Sequence, residues 1–330
     1  MSTYNKNQNL TNLASPKIGT KIIEVSDDFF GEASRMLDDK EPVFIEDKYD
    51  EHGKWMDGWE SKRRRDGGND WAIIELGSPG IITEIDVDTS FFTGNFPPFA
   101  SIEGLYSDQK PSKDSDWIEI LPKTSLKGDT GNKFKIESKT KVNYIKLQIF
   151  PDGGVARLRL FGEVKLNWDN YDNKNDLIEL SSLKLGGSIV AYNNAHYGDV
   201  SALLSHGRGK TMGDGWETRR RREPGNDWII IKLATKGLIK KIEIDTAHFK
   251  GNYPDQASVQ VSNFDKNKGL EEVINDSHNW KYILDKSKLQ ADNIHNYEVN
   301  DMSIKGATHV RLNIYPDGGV SRLRIFGLKL

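Results

Sequence analysis

Asp57-Gly58-Trp59-Glu60-Ser61-Lys62-Arg63-Arg64-Arg65-Asp66-Gly67-Gly68-Asn69-Asp70-Trp71 returns later in the chain as Asp214-Gly215-Trp216-Glu217-Thr218-Arg219-Arg220-Arg221-Arg222-Glu223-Pro224-Gly225-Asn226-Asp227-Trp228. The offset is 157, and held ungapped to Ser101 and Ser258 it gives 25 identities in 45 positions. A second block, Pro151-Asp152-Gly153-Gly154-Val155-Ala156-Arg157-Leu158-Arg159, returns at Pro316 to Arg324 with an offset of 165. Self-similarity on this scale dictates architecture: the chain is two copies of one domain. Between them, residues 167–176 hold four Asn and three Asp, a composition that favours turns and buries little. The expected layout is a loose arm at 1–17, a first repeat at 18–166, a linker at 167–176 and a second repeat at 177–330.

Inside each copy the apolar period is two. Ile145, Leu147 and Ile149 alternate with Lys146 and Gln148, as Val310, Leu312 and Ile314 do with Arg311 and Asn313, the pattern of half-buried strands. Runs at 71–76, 81–87, 228–233 and 239–244 add strands, whereas only 27–37 and 197–204 read as short helices. An all-β chain of two tandem jelly-roll sandwiches follows.

Composition narrows the function. The 330 residues include 46 Lys and Arg against 49 Asp and Glu, a net charge of −3, so no global field would hold nucleic acid or an anionic membrane. No apolar run is long enough for a signal peptide or a membrane span. With no Cys in the chain, disulfides, thiolate metal sites and a Cys nucleophile are excluded, and a reducing, cytoplasmic setting is expected.

The repeated polar residues are the candidate site. On a strand, alternation turns Leu158 and Leu160 to the core and sets Arg157 and Arg159 on the other face, roughly 7 Å apart. Arg322 and Arg324 repeat the spacing, which suits a clamp for a carboxylate or ureido oxygen; a solvated face with surface ion pairs is the competing reading. The Arg63–Arg65 and Arg219–Arg222 runs are bracketed by acids, so structural pairing is expected for most, with others left to line a cleft. Asn95 and Asn252 follow glycines in loops beyond a strand, and Asn69 and Asn226 precede one; an Asn offers donor and acceptor together, as a urea-like group does, although a turn requirement would explain the Gly-Asn pairs equally well. His248, opposite Phe91, is the best acid or base by intrinsic pKa. The seven histidines show no close metal-ligand spacing, so no metal or other cofactor is expected, while a divalent ion gathered from distant loops stays open.

Together, the stretch from Gly213 to Arg222, Gly225-Asn226-Asp227-Trp228, residues 245–252 and Tyr315-Pro316-Asp317-Gly318-Gly319 resemble the allantoicase (allantoate amidinohydrolase) family over nearly the whole chain. The resemblance implies galactose-binding-like jelly rolls, homo-oligomeric assembly, and hydrolysis of allantoate to ureidoglycolate and urea in purine breakdown. For that chemistry Asp214, Glu217 and His248 are the expected proton-transfer residues. Arg157, Arg159, Arg322, Arg324, Asn226, Asn252, Asn69, Asn95 and Glu60 are the expected substrate contacts. The alternatives are a non-catalytic pair of carbohydrate-binding sandwiches and an enzyme of a neighbouring ureide such as ureidoglycolate.

Overall fold

The computed structural model describes residues 10–171, 176–264, 269–301 and 303–330. It divides into two compact units, one spanning Thr11–Leu166 and the other containing Asn167–Leu330. Each is an eight-stranded jelly-roll sandwich built around one 19-residue strand, Asp70–Asp88 in the first and Asp227–Asp245 in the second.

That strand serves two layers. In the first repeat its N-terminal half pairs with Lys141–Phe150 and Lys21–Val25, and its C-terminal half with Arg157–Val164 and Gly131–Lys135, all antiparallel. Phe99–Leu105 and Ile118–Ser125 extend the first layer. The second repeat pairs Asp227–Asp245 with Ala307–Tyr315, Ser188–Tyr192, Arg322–Lys329 and Ile294–Glu298 in the same way. Alternation fills each core from these strands: Ile85, Val87, Ile145, Leu147, Ile149, Leu158 and Leu160 are buried in one copy, and Ile242, Ile244, Val310, Leu312, Ile314, Leu323 and Ile325 in the other.

One domain boundary and the helices differ from the sequence reading. Thr11 and Asn12 pair with Phe161 and Gly162, and Leu13 is buried, so residues 11–17 belong to the first repeat rather than to an arm; residues 1–9 lie outside the described set. The expected helices shrink to 3-10 turns at Ala33–Leu37 and Val200–Leu204, which is what five residues can make of a β-rich surrounding. A seven-residue α-helix, Leu270–Asp276, stands where no helix was read, its apolar side covered by Val190, Ala191 and Trp280. Of the expected linker, 172–175 lie outside the described residues and Trp168–Tyr171 forms a 3-10 turn.

Candidate active site

Each repeat brings a glutamate and an asparagine together at one end of its sandwich. Trp59–Glu60 is a two-residue strand paired with Gly154–Val155, and Trp216–Glu217 pairs with Gly319–Val320. The ring of each Trp is wholly buried, its indole N–H donated to the carbonyl of Asp27 or Asn194. Next to each buried Trp, the Glu side chain is half-buried. Asn95 Nδ2 donates to Glu60 Oε1 at 2.6 Å, and Asn252 Nδ2 to Glu217 Oε1 at 2.5 Å. Burial raises the Glu60 carboxyl above its ordinary value, opposed by the hydrogen bond from Asn95.

The Pro-Asp-Gly-Gly segments hold this pair in place. Gly154 N–H donates to Asn95 O at 2.8 Å, and Ser61 N–H to Gly153 O; Gly319 to Asn252 and Thr218 to Gly318 repeat the contacts. Gly153 and Gly318 have φ of 139° and 137°, and a Cβ on either would lie 2.7 Å from the main chain of the asparagine loop. Only glycine fits so close an approach with that backbone. The aspartate of each segment accepts from the chain of the arginine run: Arg64 N to Asp152 Oδ2 at 2.7 Å, Arg221 N to Asp317 Oδ2 at 2.8 Å. Sequence reasoning did not single out these aspartates, although they sit inside the repeated block.

The arginines expected to form a clamp are engaged within the protein. Arg157 and Arg322 are only 1% and 2% exposed. Arg157 donates to the carbonyls of Lys40, Asp57 and Ala156 and, at 2.7 Å, to Asp57 Oδ2. Arg322 does the same with Gly207, Asp214, Ser321 and Asp214 Oδ2. The strand face away from the core is covered by the segment leading into each Trp-Glu strand, so alternation delivers these groups into a buried cradle instead of to solvent. Asp214 is thereby tied to Arg322 and to Lys210 N–H. Arg159 and Arg324 are turned to Glu41 Oε1 and Gly207 O.

His248 and Phe91 share a left-handed backbone, φ 69° in both, each N–H donated to an aspartate, Asp292 or Asp129. The conformation thus belongs to the loop and not to the imidazole. His248 Nε2 lies 2.7 Å from Gly209 O; a carbonyl only accepts, so Nε2 is the donor of this pair, and in a neutral ring Nδ1 is then the acceptor. Asn226 and Asn69 bond Asn313 and Gln148 on the neighbouring strand, at 3.5 and 3.4 Å, and so brace that layer. Among the described residues, no three His, Asp or Glu side chains gather to hold a metal ion, and no helix is long and apolar enough to cross a membrane.

Comparison with known proteins accounts for the duplication. The allantoicase repeat model matches twice, at residues 11–165 and 178–330. A protein described as probable allantoicase 1 from Burkholderia mallei is 48% identical over 317 residues, covering 96% of this chain and 94% of its own. A probable allantoicase from Acinetobacter baylyi is 46% identical over 318 residues, with the same coverage of both chains. The crystal structure of allantoicase from Saccharomyces cerevisiae superposes with a TM-score of 0.83 at 34% identity, covering 98% of this chain and 94% of that one. With two family repeats filling its two sandwiches, this chain belongs to the allantoicase family.

Proposed function

We propose that the protein hydrolyses allantoate to ureidoglycolate and urea in purine degradation, and that the glutamate–asparagine pair is where it does so. The observation that carries the reading is the recurrence of that pair, 35 residues apart in both repeats, in a chain of this family.

Allantoate bears a carboxylate and two ureido groups on one carbon. Urea leaves when the ureido nitrogen bound to that carbon takes a proton and the C–N bond breaks; the nitrogen of the remaining ureido group supplies the electron pair, leaving an iminium. Water then forms the C–O bond and surrenders a proton. Glu217, and Glu60 in the first repeat, stand for the group that gives the first proton and takes the second, and Asn252 and Asn95 orient a ureido group beside it. A neutral His248 ring offers Nδ1 as a second acceptor, in one repeat only. Asp214 acts through Arg322, as a positioning residue that fixes the segment entering the site. The cysteine-free composition supports a cytoplasmic setting, and the family resemblance supports homo-oligomeric assembly.

Urea release by the purified protein tests the reading, with allantoate, ureidoglycolate and allantoin in parallel and a chelator-treated aliquot alongside. Release from allantoate alone is expected, surviving chelation. No release after divalent ions are restored would overturn it in favour of a binding protein.

A further inference from the structure

The arginine runs contain two kinds of guanidinium. The middle residue is an anchor: Arg64 bonds Asp66 and, at 2.6 Å, buried Asp70, while Arg221 bonds Asp227 at 3.0 Å. Its main-chain N–H is pinned by Asp152 or Asp317. The residues on either side, Arg63 and Arg65 in one repeat and Arg220 and Arg222 in the other, are exposed. Among the described residues no carboxylate pairs with any of these four side chains, whereas the neighbouring Arg219 is paired with Glu223.

Two like charges flanking a third repel one another, and a chain free to move would spread them. Here the backbone between them is held at several points: Ser61 or Thr218 on Gly153 or Gly318, and Arg64 or Arg221 on an aspartate. The same arrangement occurs in both copies even though adjacent positions change, Lys62 to Arg219, Asp66 to Glu223 and Gly67 to Pro224. It begins three residues beyond the site glutamate, within about 11 Å of chain. The substrate brings a carboxylate, and the buried arginines of the neighbouring strand are already engaged.

We propose that Arg220 and Arg222, and Arg63 and Arg65 in the first repeat, are the residues that receive the substrate's carboxylate. This rests on the function proposed above. A guanidinium fork presents two parallel donors to a carboxylate, and exposure before binding leaves those donors free.

The test uses the full chain with R220Q/R222Q, R63Q/R65Q and the four-fold combination, and R219Q as a control. Turnover of allantoate and its equilibrium binding by calorimetry are measured together. In the combination KM should rise about 10- to 100-fold with kcat within about twofold, as expected for lost charge-assisted hydrogen bonds. Affinity should fall in step, and R219Q should match the wild type. Preference for allantoate over its neutral carboxamide should shrink equally, a change that a purely structural role would not produce. Unaltered KM and affinity in the combination would overturn the assignment and leave the activity standing. A wild type that binds allantoate without turnover, and loses binding in the combination, would overturn the activity and support the clamp. Neither binding nor turnover would overturn both.

Discussion

The two repeats differ most in how they approach their shared pair. In the first, residues 38–58 connect the 3-10 turn to Trp59; in the second, residues 205–215 do so with ten fewer. The longer connection exposes Val43, Phe44 and Ile45 and stacks Phe44 against Phe91 at 5.8 Å between ring centres. The shorter one brings Gly209 O to His248. Yet each connection ends in the same buried arginine–aspartate pair and the same Trp-Glu strand. What the copies share is therefore the scaffold that holds a glutamate against an asparagine; what they vary is the connection leading into it and the residue that connection meets, His248 or Phe91. An imidazole at this position in one copy and a phenyl ring in the other predicts unequal catalysis from nearly equal glutamate–asparagine geometry.

The largest expected effect breaks that comparison directly. Glu217→Gln should lower kcat by about 10²- to 10⁴-fold for the second repeat's share of turnover, while Glu60→Gln should cost far less. Steady-state rates of the two variants, with melting temperatures to show that both fold, decide it; equal losses would mean that Phe91 and His248 are interchangeable.

A second effect is confined to one repeat. Glu179, buried beside Arg324 and Glu243, has its carboxyl pushed up to about 7, chiefly by desolvation, where the first repeat places Asn12 at the same pairing position. The folded state therefore holds this proton more tightly than the unfolded chain, whose carboxyl titrates near 4.5. Its contribution is present below pH 4.5 and is lost as pH rises to about 7, by at most about 3 kcal/mol. Denaturant unfolding across that range should show a shallower decline in Glu179→Gln, a variant that has nothing to titrate.

The smallest effect compares two buried cations. Lys146 in the first repeat bonds Glu103 at 2.6 Å. Its counterpart Arg311 faces Gln260 and rests instead on Asn313, Ser277 and the ring of Trp228. Glu103→Gln should destabilise the first repeat by about 1–3 kcal/mol, by leaving an ammonium short of a partner. The double variant E103Q/K146R should recover part of that, because a guanidinium reaches more neutral acceptors. Chemical denaturation midpoints read both.

The duplication, the strands and the glycine-rich segments were legible because they depend on local pattern, and the pattern is written twice. The glutamate–asparagine pair was legible in principle, since its 35-residue spacing is identical in both copies. The fate of Arg157 and Arg322 was not. Alternation tells which face of a strand a side chain occupies, but only the fold tells that residues about 100 positions away in sequence cover that face. The Leu270–Asp276 helix escaped for a related reason: seven residues with two buried apolar side chains, Val273 and Ile274, hold a helix through packing rather than propensity.

The strand that threads both layers also determines how each sandwich comes apart. Asp70–Asp88 and Asp227–Asp245 donate and accept hydrogen bonds in the two layers of their own repeat, so one layer cannot peel away while the other stays intact. Amide protons from opposite ends of each strand should exchange with solvent at the same opening free energy, as a single cooperative unit.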